Sequence, residues 1–242
     1  MKSSRIHWIG NDDAPETFPD IDQACTEPDG LLAAGGDLSP ERLLYAYRHG
    51  IFPWYDESQV VLWWSPDPRC ILEPREFHLS RRLQRYMRKL DLEISFNREF
   101  PRVVAACAAS RRSQQGTWIT RDMAAAYCAL HDMGWAHSVE IWHGMQLVGG
   151  LYGLAIGRVF FGESMFSRSS HASKIAMLAL TRLLVRENFL ALDCQVVSPH
   201  LLTLGAKLIP RDAFRKILDR GCNPPTRFDR WPAERLAAAS QI

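Results

Sequence analysis

The 242-residue sequence predicts a mixed α+β or α/β fold organised around one sheet. Three observations lead to this prediction. Helical periodicity recurs between residues 79 and 133, three apolar strands then follow one another up to residue 163, and helical and strand patterns alternate up to residue 220. Because strands joined by tight turns pair side by side, the three central strands predict an antiparallel meander.

The first 67 residues differ in composition from the rest, being rich in Pro, Gly, Trp and turn signals. One helix is predicted there, with Ser39 as its N-cap, Pro40 at its first position and Gly50 as its stop. Aromatic, proline-broken stretches follow, and they are typical of extended or loop structure. The pattern becomes regular from Pro68, so we predict a small domain over 1–67 and a larger one over 68–242.

The larger region contains the remaining predicted elements. Helices are predicted over 79–90, 98–109, 121–133, 171–187, 199–204 and 211–220. Strands are predicted over 138–143, 146–156, 158–163 and 190–197. Four glycines in and just after the second of these strands, Gly149, Gly150, Gly153 and Gly157, do not form a nucleotide loop, and we expect them at bulges or close backbone contacts.

Bulk composition excludes several classes of protein. The net charge of +2 is too small to indicate a partner, so a basic site must be local. Six scattered cysteines without a C-x-x-C pair predict reduced thiols in the cytoplasm rather than disulfides or zinc. The longest apolar run, over 147–157, is too short for a membrane span, and no signal-peptide core is present. Motifs for bound nucleotide, metal or a serine nucleophile are absent, so neither a metal nor a cofactor is expected.

Three polar residues stand out among the apolar strands. Glu163 follows an apolar strand, and Asp193 and Gln195 lie two apart in the next strand, where regular alternation points them to the same side. A carboxylate on a core strand is costly unless it is paired, so one interpretation is that these residues form a functional site. The alternative is structural: backbone amides or an arginine would satisfy Asp193, and Glu163 would be a capping residue at the strand end.

The apolar neighbours of Glu163 indicate a pocket. Phe160 and Met165 flank it closely in sequence, which predicts apolar walls around one negative group. Such a pocket suits an apolar side chain that carries an ammonium.

Five basic residues in nine, without an acid, occur between residues 81 and 89. Arg81, Arg85 and Arg88 follow the i, i+4, i+7 spacing of one helix face, and Lys89 follows. Nucleic-acid phosphates would relieve the repulsion between these charges, while a solvated basic face is the simpler alternative. Trp54, after a Phe-Pro pair, is the tryptophan best placed to stack on a base, and packing is its alternative.

A series of motifs resembles the leucyl/phenylalanyl-tRNA–protein transferase family. The matching stretches are P-D-G-L-L-A-A-G-G-D-L-S-P-E-R-L-L-Y-A-Y-R-H-G-I-F-P-W (28–54), L-W-W-S-P-D-P-R (62–69), G-T-W-I-T (116–120), L-V-G-G-L-Y-G (147–153), F-G-E-S-M-F-S-R (161–168), L-D-C-Q-V (192–196) and L-G-A-K-L-I-P-R (204–211). They run in order through nearly the whole chain.

The resemblance implies a small N-terminal domain and a larger domain with the GNAT (N-acetyltransferase-like) fold. It implies transfer of Leu or Phe from aminoacyl-tRNA to proteins that begin with Arg or Lys, creating a degradation signal, by a monomer without cofactor or metal. The family's residues map onto the catalytic pair Asp193 and Gln195, the acidic pocket residue Glu163, the adenosine-contacting Trp54 and Trp118, the apolar pocket Leu151, Phe160 and Met165, and the tRNA-binding Arg81, Arg85, Arg88 and Lys89.

We expect Asp193 to orient Gln195 and to bias the attacking amine toward its nucleophilic form, either as a general base or only by orienting Gln195. Gln195 would hold the amine or the developing oxyanion. Two rival functions remain open at this point. One is a GNAT enzyme that uses acyl-CoA, although the stretch 168–174 lacks the glycine-rich loop such an enzyme needs. The other is a non-catalytic RNA-binding module in which Asp193 and Gln195 are structural.

Overall fold

The computed structural model describes residues 6–87, 89–115, 119–229, 231 and 236–238 of the chain. In these residues the strands form two sheets, the smaller built entirely from the first 64 residues. The strands of the smaller sheet are β1 (His7–Ile9), β2 (Leu31–Gly35), β3 (Phe52–Pro53) and β4 (Leu62–Trp64), paired in the order β1-β2-β4-β3.

The larger sheet contains the remaining strands. They are β5 (Arg69–Leu72), β6 (Glu93–Phe96), β7 (Ala136–His143), β8 (Gln146–Ile156), β9 (Val159–Ser167), β10 (Ala191–Gln195), β11 (Lys207–Ile209) and β12 (Leu236–Ala238). Their order is β11-β5-β10-β9-β8-β7-β6-β12, and β9 with β10 is the one parallel pair among the described strands of this sheet.

Helices cover the sheets. They are α1 (Pro40–Arg48), α2 (Arg81–Met87), α3 (Phe100–Gln115), α4 (Arg121–Asp132), α5 (Ala172–Arg186), α6 (Pro199–Leu202) and α7 (Arg211–Gly221). Helix α5 is the crossover that joins the parallel strands β9 and β10, as parallel pairing requires. Helix α1 begins as predicted, because the Ser39 hydroxyl accepts a hydrogen bond from the backbone N–H of Arg42.

The larger sheet has an apolar cluster on each face. Alternate residues of β9 divide between the clusters: Val159 and Phe161 pack with α1, α3 and α4, whereas Phe160 packs with α5. The first cluster also contains Leu43 and Trp63 from the N-terminal sheet region, so the two sheets share one core. The division at residue 67 stays a prediction.

The predicted α+β class with a mostly antiparallel sheet is confirmed. The short strands β1, β2, β5, β6, β11 and β12 were missed, because runs of three to five residues carry too few alternations to be recognised. Strand β9 is longer than predicted: it continues to Ser167, so Glu163 lies within the strand rather than at its end.

The prediction for the glycines of β8 is confirmed. A Cβ on Gly153 would lie 2.1 Å from the carbonyl oxygen of Phe161, and a Cβ on Gly149 would lie 2.4 Å from the Cβ of Ala172. These positions therefore bring β8 against β9 and α5 more closely than another residue allows.

Among the described helices, none combines the length and the apolar composition that crossing a bilayer requires.

Candidate active site

A cavity of about 630 Å³ opens where β9 and β10 cease to pair. The parallel pairing ends at Phe161 and Asp193, although β9 continues for six residues and β10 for two. The cavity walls come from β8, β9, β10, α5, α6 and the residues around β3. Ligand sites often lie beyond the carboxyl ends of parallel strands, and this cavity has that position.

Strand β9 carries a β-bulge at Glu163. Gly162 pairs with Gly153 of β8 and Ser164 pairs with Tyr152, so Glu163 is the extra residue and has no partner across the ladder. Bulges redirect side chains and are common next to active sites. This bulge directs the Glu163 carboxylate into a buried polar centre at the cavity.

Strand β10 carries a second irregularity, between Asp193 and Gln195. Asp193 pairs with Ile71 and Gln195 pairs with Cys70, so one residue of β10 is extra. Gln195 has a φ of 62°, in the left-handed region that disfavours residues other than glycine. The regular alternation on which the shared side of Asp193 and Gln195 was predicted is therefore absent between these two residues.

The Glu163 carboxylate receives three hydrogen bonds. Oε1 accepts from the hydroxyl of Tyr47 at 2.7 Å and from Nε2 of Gln195 at 2.8 Å, and Oε2 accepts from the hydroxyl of Tyr127 at 2.6 Å. Tyr47 lies on α1 and Tyr127 on α4, so this centre joins the N-terminal region to the larger sheet. These donors offset part of the cost of burying a charge.

Burial raises the pKa of Glu163 to about 7, while the hydrogen bonds from Tyr127, Tyr47 and Gln195 act in the opposite direction. The pKa values of both tyrosines are raised well above the ordinary value, first by burial and then by the charge of Glu163. Both phenols therefore keep their protons and act as donors near neutral pH.

Asp193 forms a buried ion pair with Arg69 of β5. Nε of Arg69 donates to Oδ1 at 2.8 Å and an Nη atom donates to Oδ2 at 2.7 Å, with both side chains at most 1% exposed. Oδ1 also accepts from the backbone N–H of Gln195 at 3.0 Å. The guanidinium in turn donates to the carbonyl of Gly50 and packs over the ring of Phe52. Asp193 is thus fixed, and it fixes the backbone of Gln195.

The predicted pocket residues line this same cavity. Leu151 and Phe160 are almost fully buried in its wall, and Met165 is partly buried. Trp54 lies at the cavity with 43% of its surface exposed, and its ring is 5.6 Å from that of Trp64. The structure therefore brings together six of the residues that the sequence assigned to pair and pocket, with Trp54 beside them.

The basic residues lie apart from the cavity lining. Arg81 and Arg85 are exposed on α2, and Lys89 is exposed just after it. Trp118 and Arg88, which were predicted to contact tRNA, lie outside the described residues. The tRNA-binding role of this segment stays a prediction.

Sequence reasoning missed three residues of the polar centre: Tyr47, Tyr127 and Arg69. Both tyrosines fall on the buried faces of predicted helices, where an aromatic residue normally indicates packing. Arg69 carried a usable signal, because a cation beside the apolar run of β5 requires a buried acid as partner.

Comparison with known proteins matches this chain to one family. The family model described as leucyl/phenylalanyl-tRNA protein transferase matches residues 71–219, and the model of its N-terminal domain matches residues 36–67. A leucyl/phenylalanyl-tRNA–protein transferase of Ectopseudomonas mendocina is 53% identical over 94% of this chain and 100% of its own length. Those of Pseudomonas aeruginosa and Nitrosospira multiformis are 54% and 53% identical over 91% and 93% of this chain and 97% and 96% of their own lengths.

Solved structures give weaker matches. A GCN5-related N-acetyltransferase-like protein from Streptococcus suis is 13% identical, with a TM-score of 0.35 over 66% of this chain and 59% of its own. A score this low does not establish a shared fold, so the GNAT-like assignment stays a prediction.

Proposed function

The chain belongs to the leucyl/phenylalanyl-tRNA protein transferase family, and from that premise we propose that it transfers Leu or Phe from aminoacyl-tRNA to the N-terminal amine of a protein. The observation that carries the proposal is the buried centre of Glu163, Gln195 and Asp193, beside an apolar cavity of about 630 Å³. This arrangement provides a polar end for reacting groups and apolar walls for a side chain.

The acceptors we propose are proteins that begin with Arg or Lys, and the product is a degradation signal made in the cytoplasm by a monomer. The resemblance to the family in the motifs of the site supports these finer points.

The chemistry asks little of the enzyme beyond placing its substrates. The donor is an activated ester, so aminolysis is downhill and needs no energy source. The attacking α-amine has a reference pKa of roughly 7.7–8.0, so a useful fraction is already neutral near neutral pH. Holding two large substrates in reacting geometry can supply most of the acceleration.

Gln195 is the residue we assign to the attacking amine. One N–H of its Nε2 donates to Glu163, which leaves the side-chain carbonyl oxygen and the second N–H for a ligand in the cavity that Gln195 lines. The carbonyl oxygen accepts a hydrogen bond from an amine N–H, whereas an oxyanion would have to share the NH₂ group with the Glu163 carboxylate. Of the two roles expected for Gln195, this favours holding the amine.

Asp193 is the residue we assign to aiming Gln195. Both of its oxygens accept hydrogen bonds from Arg69, and one also accepts from the Gln195 backbone. A proton on Asp193 would remove the anion from a buried arginine, which is costly. This favours orientation over proton abstraction as its role.

Glu163 is the residue we assign to the ammonium of the aminoacyl group. Its Oε2 accepts one hydrogen bond, from Tyr127, whereas an ionised carboxylate oxygen offers two acceptor sites. Leu151, Phe160 and Met165 would then surround the Leu or Phe side chain.

The tRNA itself needs contacts outside the cavity. Trp54, half-exposed at the cavity, suits stacking with the terminal adenosine, and Trp118 takes the same role by resemblance. Arg81, Arg85, Arg88 and Lys89 would bind tRNA phosphates.

A direct test combines the purified protein with Leu-tRNA and an Arg-starting peptide under single-turnover conditions. We expect a peptide lengthened by Leu, detected by mass spectrometry, and no product from a Ser-starting peptide or from Val-tRNA. Absence of product with Leu-tRNA and Phe-tRNA would refute the proposal. Binding of acetyl-CoA, measured by calorimetry, would instead favour an acyl-CoA enzyme.

A further inference from the structure

Two buried phenols and the Glu163 carboxylate form a closed group of oxygen contacts. The hydroxyl oxygens of Tyr47 and Tyr127 lie 2.5 Å apart, in addition to the contact each makes with the carboxylate. Three contacts therefore join three side chains, but the two phenols supply only two protons. With Glu163 ionised, both phenol protons lie in the contacts with the carboxylate, and the contact between the two phenol oxygens has none. The two phenols therefore stabilise the charged form of Glu163.

We propose that Tyr47 and Tyr127 are positioning residues of the transfer reaction, because they fix the Glu163 carboxylate that in turn orients the Gln195 amide. This inference rests on the proposed function of the site. The tyrosines act through Glu163, and the atom that finally meets the acceptor amine is the side-chain oxygen of Gln195.

The orientation of the Gln195 amide depends on the ionisation of Glu163. An ionised carboxylate only accepts hydrogen bonds, so the amide must turn its NH₂ end toward Glu163, which leaves its carbonyl oxygen for a ligand in the cavity that Gln195 lines. Once Glu163 carries a proton, its O–H can donate to the amide oxygen, and the amide is free to reverse. Protonation of Glu163 therefore reduces the fraction of protein that presents an acceptor to the amine.

The groups around Glu163 bring its pKa close to neutral pH, where transfer can be measured. The titratable and charged groups around it are Tyr47 of α1, Tyr127 of α4, Tyr152 of β8, Asp193 of β10 and, paired with Asp193, Arg69 of β5. Burial raises the pKa of Glu163 to about 7, and the two phenol hydrogen bonds lower it against that effect. Removing either hydroxyl should therefore raise the pKa further.

The test uses Tyr47→Phe and Tyr127→Phe, which remove one hydroxyl each and keep the ring. Tyr45→Phe is the matched control: Tyr45 lies on the same helix as Tyr47, its ring stacks on His49, and its hydroxyl has no hydrogen-bond partner among the residues described. Single-turnover transfer is measured from mildly acidic to alkaline pH. The acceptor amine is common to all the proteins, so its own titration cancels in the comparison.

We expect the acidic limb of the rate profile to move to higher pH by about one unit in each active-centre variant, since a hydrogen bond to a charged group is lost. The rate falls about tenfold below the limb and returns to the wild-type value on the alkaline plateau, and Tyr45→Phe follows the wild type. A loss of equal size at every pH, or a limb that does not move, overturns the inference.

A second measurement needs no variant of the tyrosines. The ¹³C-carboxyl signal of Glu163, identified by its absence in Glu163→Gln, and the ¹⁵N side-chain signal of Gln195 are followed against pH in the wild-type protein. We expect both to change with the same midpoint; a Gln195 amide that ignores the Glu163 titration overturns the inference. A wild-type protein that makes no product would count against the proposed function alone.

Discussion

Two buried glutamates on the same sheet show how differently a carboxylate can be used. Glu140 of β7 is fully buried and accepts hydrogen bonds from the hydroxyls of Ser95 and Ser138, both at 2.5 Å. Glu163 of β9 is 6% exposed and accepts from two phenols and an amide. Strand β8 separates them, so the two carboxylates share a sheet but not their surroundings.

Glu140 and its two serine partners do not line the cavity. Glu140 pairs in register with Gly150 of β8 and Ser95 of β6, and the indole N–H of Trp142 donates to the Ser95 hydroxyl. Glu163 instead sits at a bulge, lines a cavity and accepts a hydrogen bond from the amide of Gln195, which lines the same cavity. Burial of a carboxylate therefore does not by itself indicate a site; an irregular strand and a partner with an unused atom do.

The largest expected effect comes from the buried ion pair between Asp193 and Arg69, which lies beside the Glu163 centre and has no counterpart beside Glu140 among the described residues. Asp193→Asn keeps the shape but leaves Arg69 buried without its anion. We expect the free energy of unfolding, measured with urea, to fall by about 3–5 kcal/mol. Asp20→Asn, which affects the half-exposed pair with Arg215, should cost at most about 1 kcal/mol. Equal losses of unfolding free energy in the two variants would contradict the claim that Asp193 compensates a buried charge.

The second prediction concerns stability against pH. The pKa of Glu163 rises from 4.5 to about 7 on folding, so the folded state binds more protons between these values. Its contribution to stability is present at low pH and is lost as pH rises from 4.5 through about 7. Glu163→Gln should lack this loss, which amounts to about 3 kcal/mol. Parallel stability curves for wild type and variant would show that Glu163 titrates normally.

The third prediction separates the two glutamates by activity. Glu163→Gln should lower the single-turnover rate about a hundredfold, because the charge that orients Gln195 is lost. Glu140→Gln should lower the free energy of unfolding by about 1–3 kcal/mol and leave the rate of the folded protein unchanged. The proposed difference between the two glutamates would be refuted if Glu140→Gln also slowed transfer in protein shown by circular dichroism to be folded.

The cavity wall gives the fourth prediction. Met165→Ala enlarges the space beside Glu163, so the ratio of Phe to Leu transferred should rise about tenfold, within the limits of apolar discrimination. Met145→Ala changes a side chain that is 93% exposed and should leave the ratio unchanged. Competition between the two charged tRNAs in one reaction measures it directly.

The smallest effect on chemistry is expected from the basic helix. Changing both Arg81 and Arg85 to Ala should weaken tRNA binding and make its dependence on salt less steep by about 1.5 in log–log slope. The transfer rate at saturating tRNA should not change. Lys216 and Arg220, exposed on α7, provide a control variant of equal charge. An unchanged slope would mean that α2 is an ordinary solvated face.

The fold class was predictable because its signals are local. Long periodic segments such as α5 and β8 carry several turns or alternations, and the cap at Ser39 marks a helix start within four residues. The motifs also identified the three polar residues of the site. The assumption that the strands are regular failed at the site. The bulges at Glu163 and after Asp193 depend on pairing with other strands, and the sequence of a single strand does not reveal them.

The partners of the polar residues were not predictable for a related reason. Tyr47 is 116 positions from Glu163 and Arg69 is 124 from Asp193, so only the tertiary structure brings them together. An aromatic residue on a buried helix face gives the same pattern whether its hydroxyl is used or not.

The hydrogen bond between Tyr47 of α1 and Glu163 of β9 has a consequence for the newly synthesised protein. Helix α1 is synthesised early, whereas β9 and β10 emerge only after most of the chain has been translated. A ribosome-bound fragment that lacks β9 has no Glu163 to hold, and a larger sheet without a docked α1 lacks one of the phenols. Completion of the Glu163 centre thus requires both regions of the chain, so under the proposed function a fragment that lacks either one should transfer no amino acid.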